Sequence, residues 1–249
     1  MESDRIAYKG LSDAGLVRKN NEDAFAVDVR EGAWPLLFVV ADGLGGHRHG
    51  EIASLTAVDF ILSYLREQLP VDNHPEAIRK SLEDAIQKTN VKVYLKSLET
   101  KENEGMGTTM TLAALYDQSC FVAHIGDSRL YRMRDGVLEK MTSDHTYVNE
   151  MVAMGKLTEE ESVAHPKRHI LTQALGYPEY VRPEILHLDL KPEDRLLLAT
   201  DGLHGFLPFK AIEKTLKNGR TPQDVVSSLI EQVLREGAPD NVTALVVFA

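Results

Sequence analysis

Three aspartates in this 249-residue chain stand where an apolar run meets a turn. Leu36-Leu-Phe-Val-Val-Ala leads into Asp42-Gly43, Phe121-Val-Ala-His-Ile-Gly into Asp127-Ser128, and Arg195-Leu-Leu-Leu-Ala-Thr into Asp201-Gly202. A fourth, Asp240, opens the run 242–248, and Glu22-Asp23 follows Arg18 near the N-terminus. Strand ends are rigid and neighbouring strands lie about 5 Å apart, so such side chains can converge on one sheet edge. Converging carboxylates repel and lose hydration, and they stay ionised only when cations neutralise them. An all-oxygen donor set with no thiolate suits hard ions, Mg²⁺ or Mn²⁺. A glycine after the aspartate, as at Gly43, lets a backbone carbonyl come close to such an ion. Two of these ions about 4 Å apart suit phosphate-ester hydrolysis, because they acidify a bridging water and stabilise charge on the phosphoryl oxygens. Arg18 offers the planar fork that grips a phosphate; Lys19 does not. Two plainer readings stay open on the residues alone. Any one Asp-Gly pair is ordinary turn chemistry, as Asp135-Gly136 is taken to be, and a lone surface arginine is a solvated charge.

Strands and helices must position these groups. Apolar runs bounded by turn signals recur at 36–41, 110–115, 121–125, 196–199 and 242–248 and are read as strands, several buried on both faces. Residues 129–141 alternate around Asp135-Gly136 and predict a hairpin. Between the first two runs lie two helical patterns. Leu55, Val58, Leu62, Leu65 and Leu69 form one apolar stripe; Ile78, Leu82, Ala85, Ile86, Thr89 and Val93 form another, with Pro75 near its start. A second helical pair is predicted over 209–216 and 222–234. Strands in clusters and helices in pairs, without βαβ alternation, predict an α+β fold of sheets sandwiched between helical layers.

Composition narrows the function classes. Hydrophobic residues make up 43% and charged residues 27%, so disordered and fibrous classes are excluded. No linker divides the chain, and residues 1–249 are read as one domain. The single cysteine, Cys120, forms no internal disulfide and no Cys-based zinc site, and it is read as a buried small hydrophobe. Twenty-eight basic against 38 acidic residues give a net charge of −10, which is no footprint for nucleic acid or an anionic membrane. No apolar run approaches a membrane span of about 18 residues, and the N-terminus has no signal-peptide core, so a cytoplasmic protein is expected. His124, alternating within an apolar strand, is read as structural.

Taken together, the segments resemble the metal-dependent serine/threonine protein phosphatases of type 2C in their compact bacterial form. The matching segments are Val17-Arg-Lys-Asn-Asn-Glu-Asp23, Asp42-Gly-Leu-Gly-Gly-His-Arg-His-Gly-Glu51 with Ala53-Ser54, and Gly107-Thr-Thr109. Gly126-Asp-Ser-Arg129, Ser143-Asp-His145, His169-Ile-Leu-Thr-Gln-Ala-Leu-Gly176, Ala199-Thr-Asp-Gly-Leu203 and Asp240-Asn-Val-Thr243 follow in the family's order, so the match covers about residues 8–248. The resemblance implies a four-layer αββα sandwich: two antiparallel sheets flanked by helix pairs, with a dinuclear metal site at one edge. It implies that Asp42 bridges two metals with the Gly43 carbonyl on the first, and that Asp201 and Asp240 hold the second. Glu22 and Asp23 would orient metal-bound waters, Arg18 would bind the substrate phosphate, and Asp127 with Asp201 would hold a third, weaker metal. A metal-bridging water would attack phosphorus directly, with no phosphoenzyme. The implied partners are phosphorylated proteins and a cognate Ser/Thr kinase, and a monomer is expected.

Two positions depart from the family pattern. Eukaryotic members carry a histidine, the proposed general acid, two residues after the bridging aspartate; here that residue is Leu44, and His47 is the substitute candidate. Where an asparagine is common this chain has His169, beside a flap over about 146–168 that flanks the active site, so Arg168 and His169 are candidates to meet acidic or phosphorylated substrate. A catalytically silent phosphatase-like binding module and a small-molecule phosphoesterase are the alternatives.

Overall fold

The computed structural model describes residues 6–29, 34–44, 49–70, 74–177 and 180–249. Eleven strands among them form two antiparallel sheets. One runs β1 (Ala7–Asp13), β11 (Val242–Phe248), β10 (Arg195–Ala199), β7 (Arg129–Arg134), β8 (Val137–Lys140). The other runs β2 (Asp23–Asp28), β3 (Leu36–Leu44), β5 (Met110–Tyr116), β6 (Ser119–Ile125), β9 (Glu184–Asp189), with the short β4 (Gly107–Thr108) paired to the end of β3.

Side-chain alternation decides the layering. In β3, Leu36, Phe38 and Val40 join Ala113, Leu115, Val122, Leu198 and Leu245 between the sheets, whereas Leu37, Val39 and Ala41 face α1 (Gly50–Gln68) and α2 (Pro75–Ser97). In β10 and β11, Leu197, Ala199, Ala244 and Val246 face α6 (Phe209–Asn218) and α7 (Pro222–Arg235). Strands covered on both faces need apolar residues at every position, which is why these runs are continuous in the sequence. Each such side chain, fully buried, contributes about 1.5–3 kcal/mol of transfer free energy. The expected αββα sandwich is therefore present.

Three details differ from the sequence reading. Leu55 does not belong to the buried stripe of α1; it is 53% exposed, and the stripe is completed by Ala57 and Ile61. Strands β1, β2, β4 and β9 lie outside the sequence reading: β1, β2 and β9 are half-covered with no unbroken apolar run, and β4 is two residues long. The segment 146–168 holds α3 (Tyr147–Ala153) and α4 (Glu159–Val163), with Thr146 capping one and a Thr158–Glu161 capping box opening the other. The hairpin around Asp135-Gly136 forms as predicted, both residues at positive φ as a two-residue turn requires. Cys120 is buried between the sheets, and His124 is buried with its ring nitrogens bonded to Thr111 Oγ1 and the Ser143 carbonyl.

Candidate metal centre and active site

The acids come together where the two sheets meet at one edge. Register places Asp23, at the start of β2, directly opposite Asp42 in β3. Thr200, between β10 and the short helix α5 (Asp201–His204), donates from Oγ1 to Asp23 Oδ2 at 2.8 Å and receives the Thr243 amide at 3.0 Å. One hydroxyl thus ties the first sheet to the second beside the acids. Asp201 follows as the first residue of α5, and Asp240 lies just before β11.

Hydrogen bonds fix the backbone at each acid. Asp42 is held in both directions: its amide donates to Thr109 Oγ1 at 3.0 Å, and its carbonyl accepts from Thr108 Oγ1 at 2.8 Å and the Thr109 amide at 2.9 Å. Thr109 Oγ1 also meets Ser128 Oγ at 2.7 Å, which connects Asp42 to the turn carrying Asp127. Ser54 on α1 donates to the Glu22 carbonyl at 2.6 Å. Crowding requires the two glycines after the aspartates. A β carbon at Gly43 would lie 2.3 Å from the Gly50 carbonyl oxygen, and one at Gly202 only 1.8 Å from that of Asn241.

Asn241 has a role that the sequence reading did not assign. Its Oδ1 accepts from the Glu22 amide at 2.8 Å, and its Nδ2 donates to the carbonyls of Ala14 at 2.9 Å and Asn20 at 2.8 Å. It therefore holds the segment 14–22, which carries Arg18 and Glu22, against the start of β11. Its signal in the sequence is its place in the Asp240-Asn-Val-Thr243 segment of the resemblance, where the amide itself was given no task.

The electrostatics are those of an acidic cluster with its charge uncompensated. Burial, with Asp201 and Asp240 adding to it, pushes the Asp23 carboxyl up to about 7. Burial and the nearby Asp201 and Asp144 push Asp127 up to about 7 as well. Asp42 rises well above the carboxylate range through burial and through Asp23, Asp201 and Asp127. Asp42 and Asp201 are close enough to share a proton, and Asp201 itself is raised by burial and by Asp240. Glu22 is raised by burial and by Glu51. Asp23 Oδ1 is buried with no hydrogen-bond partner among the described residues. Opposing this, Arg18 donates to Asp240 Oδ2 at 2.8 Å from an exposed position.

Among the described residues no three acidic, imidazole or thiol side chains are gathered into a ready-made metal shell. The acids approach only to the range where they raise one another's pKa. That donor set still fits hard divalent cations, since it is all oxygen, carries an unpartnered buried carboxylate oxygen, and needs positive charge to ionise at neutral pH. The chain brings together Glu22, Asp23, Asp42, Asp127, Asp201 and Asp240, with Arg18 at the rim. His47 lies outside the described residues. His169 is exposed, yet near enough to lower the Asp201 carboxyl slightly against its upward shift.

Comparison with known proteins agrees with this architecture. The protein phosphatase 2C family model matches residues 17–247. A serine/threonine phosphatase stp of Listeria monocytogenes is 34% identical over 236 residues, covering 95% of this chain and 93% of its own. Protein phosphatase PhpP of Streptococcus pneumoniae is 33% identical over 238 residues, 95% of each chain. Among solved structures, the S. agalactiae serine/threonine phosphatase superposes with a TM-score of 0.90 at 34% identity, covering 98% of this chain and 99% of its own. The catalytic domain of serine/threonine protein phosphatase PstP, solved with two manganese ions, superposes at 0.83 with 33% identity, covering 98% and 97%. The chain belongs to the protein phosphatase 2C family and is a metal-dependent serine/threonine protein phosphatase.

Proposed function

We propose that the acidic edge binds two Mn²⁺ or Mg²⁺ ions, and a third more weakly, and that the whole chain, 1–249, acts as one cytoplasmic, monomeric catalytic domain reversing the work of a Ser/Thr protein kinase. The observation that carries this reading is the elevation of Asp23, Asp42, Asp127 and Asp201 by burial and by neighbouring carboxylates, since bound cations are what let four such acids ionise together at neutral pH. When bound, such ions acidify a shared water and withdraw charge from the phosphoryl oxygens.

Each residue then has a task. Asp42 and the Gly43 carbonyl, held by Thr108 and Thr109, present oxygens from β3. Asp201 and Asp240 present theirs from the other sheet, and Asp127 with Asp201 forms the weaker site. Glu22 and the Oδ1 of Asp23 would accept hydrogen bonds from water and so orient it. Arg18 reaches the same edge through Asp240, where its fork can hold a phosphate by two parallel N–H···O bonds. His47 is the proposed proton donor to the departing alkoxide, and the 146–168 segment, ending near Arg168 and His169, flanks the incoming phosphoprotein.

Phosphate release from a phosphothreonine peptide tests this. Release should require Mn²⁺, stop with excess chelator and return on re-addition, while folded Asp42→Asn and Asp201→Asn variants release none. Chelator-resistant release, or full activity in either variant, would overturn the assignment.

A further inference from the structure

The helix that begins with Asp201 ends, one turn later, in His204. The His204 Nε2 lies 3.0 Å from the main-chain carbonyl of Asp127. The carbonyl can only accept, so Nε2 carries the proton and donates. This contact spans 77 residues of sequence and is a direct tie between the α5 turn and the Gly126–Asp127 turn. The strands that lead into the two turns are paired as far as Arg129 of β7 opposite Ala199 of β10, and the His204 contact lies beyond the end of that ladder. Gly126 exchanges backbone and side-chain hydrogen bonds with His145, at 2.7 Å from the His145 amide and 3.1 Å to Nδ1. On the other side, Thr200 is held by Thr243 and Asp23.

We infer that His204 is a positioning residue that sets the separation of the Asp127 and Asp201 carboxylates, and thereby the affinity of the cation site between them. The inference rests on the assignment of that site above. The two carboxylates repel, and they stand past the last paired residues of β7 and β10, where the His204 contact continues the tie that the ladder begins. A neutral donor suits the task. The Asp127 carbonyl needs one N–H, which a neutral imidazole supplies without adding a charge that would compete with a cation. A lysine or arginine here would itself neutralise the acids. The residue acts through the Asp127 main chain and touches neither substrate nor cation.

Mn²⁺ binding to the intact chain by titration calorimetry, with manganese resonance spectra counting bound ions, tests the inference independently of turnover. Alanine at 204 should weaken the weakest of the sites by about 10-fold or more, the usual effect of losing an outer-sphere hydrogen bond, and leave the tighter sites unchanged. His204→Gln, whose amide can reach the same carbonyl, should restore affinity to within about 3-fold. In an Asp127→Asn background the alanine change should have no further effect, because the two act on one site. Unchanged weak-site affinity in His204→Ala would overturn the inference, as would equal loss in the alanine and glutamine variants with matched drops in melting temperature, which marks a merely structural residue. Wild-type protein that binds two ions but not a third refutes this inference alone. Failure to bind any Mn²⁺ refutes the metal assignment itself.

Discussion

Neutralising Asp127 should stabilise the metal-free protein. The folded environment raises this carboxyl from 3.8 to about 7, through burial and through Asp201 and Asp144. Between those values the folded state holds a proton that the unfolded chain has released, so this group's contribution falls as pH rises through the window and is least favourable above 7. Three units correspond to at most about 4 kcal/mol at pH 8. Asp42 and Asp201 share the local proton load, so about half, roughly 2 kcal/mol, is the expected gain from Asp127→Asn. For a chain of this size that is about 4–8 °C in melting temperature. Thermal unfolding in excess chelator should show the gain at pH 8 and its disappearance near pH 4, where wild-type Asp127 is protonated in the folded protein. Saturating Mn²⁺ should reverse the order, because wild type gains stability from every ion it binds in the folded state alone. An Asp127→Asn protein no more stable than wild type in chelator at pH 8, or equally advantaged at pH 4, would refute the electrostatic reasoning.

His124 predicts a pH effect of the opposite sign. Burial and the neighbouring His145 hold its pKa down at about 3, so its contribution to stability is intact above the unfolded value of 6.5 and is lost as pH falls from there toward 3. His124→Gln should flatten the fall in unfolding free energy, measured by urea titration, between pH 6 and 4 by up to about 1.4 kcal/mol per pH unit relative to wild type; parallel curves would count against it. Asn241→Ala removes three hydrogen bonds to main chain and should cost about 3 kcal/mol by urea unfolding, with phosphatase activity falling as the Arg18–Glu22 segment loosens. Leu55→Ala should change stability by less than about 0.5 kcal/mol, whereas Ile61→Ala, one and a half turns on and fully buried, should cost about 2–5 kcal/mol.

Much of the architecture was legible before any coordinates. Strands sealed between a helix layer and a second sheet are apolar along most of their length, so β3, β5, β6, β10 and β11 announce themselves as runs, and each acid at the end of such a run is conspicuous. Strands β1, β2 and β9 did not, because polar residues such as the exposed Lys9 and the half-covered Asp28, paired with Arg66 of α1, break the pattern. In α1, Leu55 lies one position off the buried face. Ala53 and Ala57, small enough to let the helix lie close on the sheet, occupy the buried face, and a scan for large aliphatics passes over them.

The sequence by itself marked the candidate acids, since Asp42, Asp127 and Asp201 each close an apolar run, and that signal is local. The tertiary structure alone decided what holds them in register. Thr200 on Asp23, Asn241 on Glu22, Arg18 on Asp240 and His204 on Asp127 each join residues at least 77 positions apart, bringing together strand and helix ends from different parts of the fold. No periodicity encodes such pairs. They exist only because burying Phe38, Val40, Leu198 and Leu245 against one another fixes the angle and offset of the sheets, and the hydrogen bonds then form between whatever groups that packing brings within 3 Å.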